Sequence, residues 1–192
     1  MKGIELLRIL QRINKPFYTT ADLEKITRLD KNSLYVALER WVTGGFIERL
    51  AQGIYIPMGG VISPETVASQ IYIPNYLSFE SALSKHGVLN LIPYIITFAT
   101  TRKTKKYTIQ KREVEFRQIT PQLFFGYAMM NGVNIASPEK AFLDQIYFLS
   151  RGKAKLDIDE LDLKKLSTKI LKRYSRQYPT YVLRTMEKIV GK

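Results

Sequence analysis

The sequence predicts an α+β chain in two parts: a small head of three helices closed by a β-hairpin, then a mixed α/β remainder with a small antiparallel sheet and C-terminal helices. Three observations predict this. Between Thr19 and Pro57, two short apolar patterns of helical period lead to Gly44-Gly45 and then to two short β-like runs. Met58-Gly59-Gly60 interrupts the pattern and Ser63-Pro64-Glu65 opens a new helix, which separates residues 1–58 from 61–192. Hydrophobic residues make up 45% of the chain, enough for a core in each part.

The elements follow in order. Residues 2–13 form an amphipathic helix with Ile4, Leu7, Leu10 and Gln11 on one face and Leu6, Ile9 and Ile13 beside it; Pro16 ends it. Thr19 with Asp22 makes a capping box for a helix over 20–27, which buries Leu23 and Ile26. Asp30 caps a third helix over 31–43, with Leu34, Ala37, Leu38 and Trp41 inward at spacings of three and four. Residues 46–50 and 54–57 flank Ala51-Gln52-Gly53 as two strands and a tight turn. This order of elements is that of a winged helix-turn-helix.

The third helix is then the recognition helix. Asn32, Ser33, Tyr35, Val36, Glu39 and Arg40 lie away from its apolar stripe. Asn pairs with adenine, Lys31 or Arg40 with guanine or phosphate, and the helix N-terminus offers N–H groups to a phosphate. Glu39 is unhelpful against phosphate and is expected to pair locally near Arg40. Arg49 and Gln52 sit near the wing tip. The DNA-contact set is Lys31, Asn32, Ser33, Tyr35, Arg40, Arg49 and Gln52.

Beyond residue 60, Ser63 and Ser137 each open a Ser-Pro-Glu helix start, and the second helix buries Phe142, Leu143, Ile146 and Leu149. Ser78 caps a helix that ends at Gly87, and His86 in its last turn is expected to satisfy that helix end. Residues 95–99 read as a buried strand. Residues 107–109 and 114–117 form a hairpin through 110–113, and Leu123–Met130 and Val133–Ala136 form another through Asn131-Gly132. A helix starting in the acidic patch Asp157–Asp162 buries Leu163, Leu166, Ile170 and Tyr174. A last helix buries Val182, Leu183, Met186 and Ile189.

The 192-residue chain has a formal net charge of +13, an excess that fits a polyanionic partner. Residues 1–57 supply only +3, whereas 101–120 supply +5 and 151–192 supply +7. Arg102, Lys103, Lys105 and Lys106, with Lys111 and Arg112, crowd the ends of the first hairpin. Lys165, Lys169, Lys172 and Arg176 fall on one helical stripe. Both sets suit a phosphate backbone or an acidic protein.

There is no cysteine, which excludes disulfides, thiol catalysis and cysteine-based zinc, and which fits a cytoplasmic location. No Gly-rich phosphate loop or nucleophile elbow occurs. Asp157, Asp159, Glu160 and Asp162 lack the glycine and spacing of a calcium loop. The chain therefore reads as a binder rather than an enzyme, without cofactor or metal. No apolar run approaches the roughly 20 residues of a membrane span, and the charged N-terminus is unlike a signal peptide.

Three phrases carry a resemblance. They are Gly45-Phe46-Ile47-Glu48-Arg49-Leu50 with Gly53-Ile54-Tyr55; the run from Tyr76 through Ser78, Phe79 and Glu80 to His86-Gly87; and Ala136-Ser137-Pro138-Glu139-Lys140-Ala141-Phe142-Leu143-Asp144. In that order and spacing, over about residues 4–190, the chain resembles the AbiEi family of antitoxins from type IV toxin–antitoxin systems, which act in abortive phage infection. The resemblance implies a winged helix that binds inverted repeats in double-stranded promoter DNA and represses transcription. It also implies a C-terminal domain that counteracts a nucleotidyltransferase-like toxin without requiring a stable complex. The alternatives are a stand-alone winged-helix regulator with a ligand-sensing or dimerising C-terminal domain, and an RNA-binding or RNA-modifying enzyme. The sequence leaves the oligomeric state open.

Overall fold

A computed structural model describes residues 1–191 of the chain. They form eight α-helices and two sheets, one of three antiparallel strands and one of six mixed strands, so the class is α+β. The chain divides into two compact units, Met1–Val67 and Ala68–Lys192. None of the helices among the described residues is long and apolar enough to cross a membrane.

The first unit runs α1 (Gly3–Ile13), β1 (Tyr18–Thr19), α2 (Thr20–Thr27), α3 (Lys31–Thr43), β2 (Ile47–Ala51) and β3 (Ile54–Pro57). Thr19 Oγ1 accepts the Asp22 N–H and the Asp22 carboxylate accepts the Thr19 N–H, so the capping box forms as its residue types dictate. Burial works to raise the Asp22 carboxyl, but hydrogen bonds from Lys15 and Thr19 outweigh it and hold the group below its usual range. Leu34, Ala37, Leu38 and Trp41 of α3 pack with Leu6, Leu10 and Tyr18 in one core. Full burial of each large apolar side chain contributes about 1.5–3 kcal/mol.

Two features of this unit differ from the sequence expectation. α1 is rotated: Leu6 and Leu10 are fully buried, whereas Ile4, Gln11 and Ile13 are exposed. The Tyr18 hydroxyl sets that phase by donating to the Leu10 carbonyl at 2.5 Å. β1 is also new. Two residues are too few to show a period, yet β1 pairs with β3 and gives the sheet its order β1-β3-β2.

The second unit contains β4 (Asn75–Leu77), α5 (Phe79–Lys85), β5 (Ile96–Thr100), β6 (Lys105–Ile109), β7 (Arg112–Gln118), β8 (Tyr127–Met130) and β9 (Val133–Ala136). α6 (Pro138–Leu149), α7 (Thr168–Ser175) and α8 (Thr180–Val190) follow, and α4 (Pro64–Ile71) spans the boundary between the units. Instead of a small antiparallel sheet there are six strands in the order β6-β7-β5-β4-β9-β8, with β5 parallel to β7 and β4 parallel to β9. The hairpins are local and legible. The first turns more tightly than expected, on Gln110 and Lys111 with φ of 50° and 63°; the second turns on Asn131 and Gly132 at 50° and 80°.

α6 is buried all round from Glu139 to Phe148, so it is a central helix and not the one-sided helix expected. The expected helix from the acidic patch is broken. A 3₁₀ turn covers Leu163–Lys165, Leu166 is extended, and Ser167 caps α7. The buried Glu139 carboxylate holds the break by accepting the Ser167 N–H at 2.9 Å. Leu166 and Leu171 are buried there, while Ile170 and Tyr174 are half-buried.

Candidate nucleic-acid interface

Lys31, Asn32, Ser33, Tyr35 and Arg40 are exposed on α3, together with Val36 and Glu39, because the core takes the other face. Arg49 on β2 and Gln52 in the β2–β3 turn are exposed as well. A cleft of about 390 Å³ separates α3 from this hairpin, lined by Tyr35, Glu39, Arg49, Gln52 and Tyr55 among others. The first unit thus brings Tyr35, Arg49 and Gln52 to one cleft; Lys31, Asn32, Ser33 and Arg40 occupy α3 outside it. The hairpin turn is tied to the start of α2, where Thr20 N–H donates to the Gly53 carbonyl at 2.9 Å. Burial in the cleft pushes the Tyr55 phenol above its usual range, while the Arg49 charge pulls it the other way.

Two details of α3 correct the sequence expectation. Its N-terminus is not open to a phosphate: the Asp30 carboxylate accepts both the Asn32 and the Ser33 N–H at 3.1 Å. These bonds, led by those from Ser33, hold the Asp30 carboxyl below its usual range, so it is an anion at the helix start. Glu39 faces the cleft with Arg49 rather than pairing beside Arg40. Tyr55 and Thr20, which also line the cleft, carry no sequence signal of their own, since one is a strand residue and the other a helix start.

Half of the two basic sets of the second unit is engaged within the chain. The Arg102 guanidinium lies 4.3 Å from the Tyr72 ring centre and donates to the Ile73 carbonyl; Lys105 lies 4.8 Å from the Tyr107 ring centre. Lys106 pairs with Glu113 at 2.7 Å. Lys165 donates to the Gly87 carbonyl at 2.7 Å, and the helix break takes it off the stripe with Lys169, Lys172 and Arg176. Those three and Lys103 are exposed and have no ion-pair partner among the described residues.

The second and third phrases of the sequence meet in a buried polar cluster. Asp144 is its hub: Lys140 Nζ and Tyr178 Oη donate to Oδ1, the latter at 2.8 Å. Tyr76 Oη and Ser78 Oγ donate to Oδ2 at 2.9 and 2.7 Å. Lys140 also donates to Tyr178 Oη at 2.6 Å and lies 4.9 Å from the Phe125 ring centre. Lys140 and Asp144 are both fully buried. Burial drives the Lys140 ammonium downward against the pull of Asp144; burial first, then the Asp144 charge, pushes the Tyr76 and Tyr178 phenols well upward. Ser78 therefore spends its hydroxyl on Asp144 and makes no side-chain cap. His86 also leaves its expected role, with Nε2 donating to the Ala136 carbonyl at 2.8 Å. Every member is enclosed and partnered, so the cluster joins β4, α6 and the α7–α8 connection and presents no reactive group.

No family model and no curated protein matches the chain. It is similar to a solved structure, the crystal structure of RV2827C protein from Mycobacterium tuberculosis, with a TM-score of 0.66 and 16% identity over 97% of this chain and 75% of that one. At that identity the likeness concerns the fold alone.

Proposed function

We propose that the chain is a sequence-specific DNA-binding antitoxin and transcriptional autorepressor that counteracts a nucleotidyltransferase-like toxin in the cytoplasm. Its first unit acts as a winged helix-turn-helix, with α2 and α3 as the helix-turn-helix and β2–β3 as the wing. The observation that carries this reading is the exposed face of α3 beside a hairpin that presents Arg49 and Gln52 across one cleft. A helix of this kind fits the major groove, and a basic hairpin beside it meets the sugar-phosphate backbone. Lys31, Arg40 and Arg49 supply positive charge, and Asn32 supplies a bidentate partner for adenine. Asp30 stands against a phosphate at the helix start, so the phosphate contacts fall to side chains.

Support for the antitoxin role is the resemblance of the two C-terminal phrases. Tyr76, Ser78, Lys140 and Asp144 of these phrases are spent inside the fold; of the two basic sets, Lys103, Lys169, Lys172 and Arg176 remain exposed and without an ion-pair partner among the described residues, and so are available for that role. A mobility-shift titration across salt, on the chain's own promoter and on random duplex, tests the DNA half. Arg49→Ala should weaken both duplexes alike and flatten the slope of log K on log salt by about 0.9. Asn32→Ala should cost about 1–3 kcal/mol on the promoter alone. Equal losses on the two duplexes after the Asn32 change refute base reading. Co-expression with a nucleotidyltransferase-like protein encoded beside this chain tests the other half; toxicity left unchanged favours the stand-alone regulator.

A further inference from the structure

We infer that the head, on the DNA-binding reading above, selects half-sites in which Val36 packs on the C5 methyl of a thymine. α3 has four apolar side chains in its first ten residues besides Tyr35: Leu34 and Leu38 are buried, Val36 is 70% exposed, and Ala37 completes the inner face. Val36 thus contributes little to the core. It also offers neither charge nor hydrogen bond to a phosphate. In the major groove, the apolar feature that a base edge presents is the thymine methyl.

The row on which Val36 stands sharpens the inference. Asn32, Val36 and Arg40 are all exposed and follow one another four residues apart, so they form one ridge of α3. Four residues of helix rise about 6 Å, close to two base-pair steps at about 3.4 Å each. A helix lying along the groove then reads, in sequence, an adenine through Asn32 and a thymine about two base pairs away through Val36. Arg40 falls a similar step further, on a guanine or a phosphate. Glu39 lines the cleft with Arg49 and so stands off this ridge.

The experiment uses the full chain. A random duplex pool is enriched for bound sequences, and each thymine of the enriched motif is replaced in turn by deoxyuridine, which removes only the methyl. Binding is read by fluorescence anisotropy. One thymine per half-site, about two base pairs from the adenine that depends on Asn32, should lose about four-fold in affinity as uridine, the transfer value of one buried methyl. Val36→Ala should bind the thymine and uridine duplexes alike. Val36 is exposed, so this variant keeps the core, and Trp41 emission checks that it does. An enriched motif in which no uridine weakens binding, or in which Val36→Ala keeps the same sensitivity, overturns the inference and leaves the DNA reading standing. A pool that yields no motif overturns both.

Discussion

Replacing Asp144 by alanine should be among the most damaging single changes in the second unit. The side chain is fully buried and accepts from Lys140, Tyr178, Tyr76 and Ser78. Its loss leaves a buried ammonium without its counter-charge, which costs about 3–5 kcal/mol. The hydroxyls add less than their separate values, since Tyr178 keeps Lys140 as a donor and Tyr76 lies 3.5 Å from the Leu123 carbonyl. A loss of about 3–5 kcal/mol is a large part of the roughly 5–15 kcal/mol that holds a domain folded. With a urea m-value of about 2 kcal/mol/M, the midpoint should fall by roughly 1.5–2.5 M. Far-UV circular dichroism of the full chain reads the change. The single tryptophan, Trp41, sits in the core of the first unit, so its emission follows that unit separately. Asp144→Leu combined with Lys140→Met should recover most of the loss, because replacing both partners removes the uncompensated charge. A loss below about 1 kcal/mol, a double variant no better than the single one, or a shift confined to Trp41 emission would each refute the reasoning.

Two further expectations concern stability. Thr19→Ala removes the acceptor of the Asp22 N–H and should cost about 0.5–2 kcal/mol in the transition followed by Trp41, whereas Thr19→Ser should retain the cap; equal losses for both variants would locate the effect elsewhere. The Tyr76 and Tyr178 phenols are raised well above 10.0 in the fold and return to it on unfolding. Their contribution is complete below about pH 10 and is lost as pH rises beyond it. Lys140 acts in the opposite sense, since its lowered value makes the unfolded chain hold its proton up to about 10.5, but it is one group against two. The denaturation midpoint should therefore drop above about pH 10, and tyrosinate absorbance showing these two phenols ionising near 10 in the folded chain would contradict this.

What the sequence discloses is what short-range chemistry determines. Asp30 and Thr19 announce helix starts because their acceptors are two or three residues from the N–H groups they satisfy. The 3-and-4 spacing of Leu34, Ala37, Leu38 and Trp41 fixes both faces of α3, so its exposed residues follow by subtraction. Asn131-Gly132 announces its hairpin for the same reason. The six-stranded order is illegible because β4 has three residues and its parallel partner β9 begins more than fifty residues later. The phase of α1 is illegible because its run holds six apolar residues, Ile4, Leu6, Leu7, Ile9, Leu10 and Ile13, that cover more than one face, and packing outside the helix decides that Leu6 and Leu10 are the buried ones. Lys165 leaves its stripe for a long-range reason: the helix period stops at a break held by Glu139, 28 residues before Ser167.

The same distinction between local and long-range chemistry bears on how charge is to be read. The stretch 121–150 holds three charged residues, Glu139, Lys140 and Asp144, and all three are buried. Arg117, counted in the basic stretch 101–120, is nearly enclosed and pairs with Glu80 at 2.8 Å and Glu115 at 2.9 Å. Arg102, Lys105 and Lys106 are occupied by rings and a carboxylate. Charges spent in this way contribute to cohesion and are poorly placed to release counterions from a polyanion, which requires cations free to meet phosphates. The formal surplus of the second unit therefore overstates its electrostatic footprint. The +3 of residues 1–57 understates that of the first, because Lys31, Arg40 and Arg49 are all exposed around one helix and one hairpin. If DNA is the partner, those three cations alone account for a salt slope of about −2.7. A measured slope much steeper than that would require further exposed cations to share the contact, Lys25 and Arg28 of the first unit or Lys103, Lys169, Lys172 and Arg176 of the second, and neutralising them one at a time would show which.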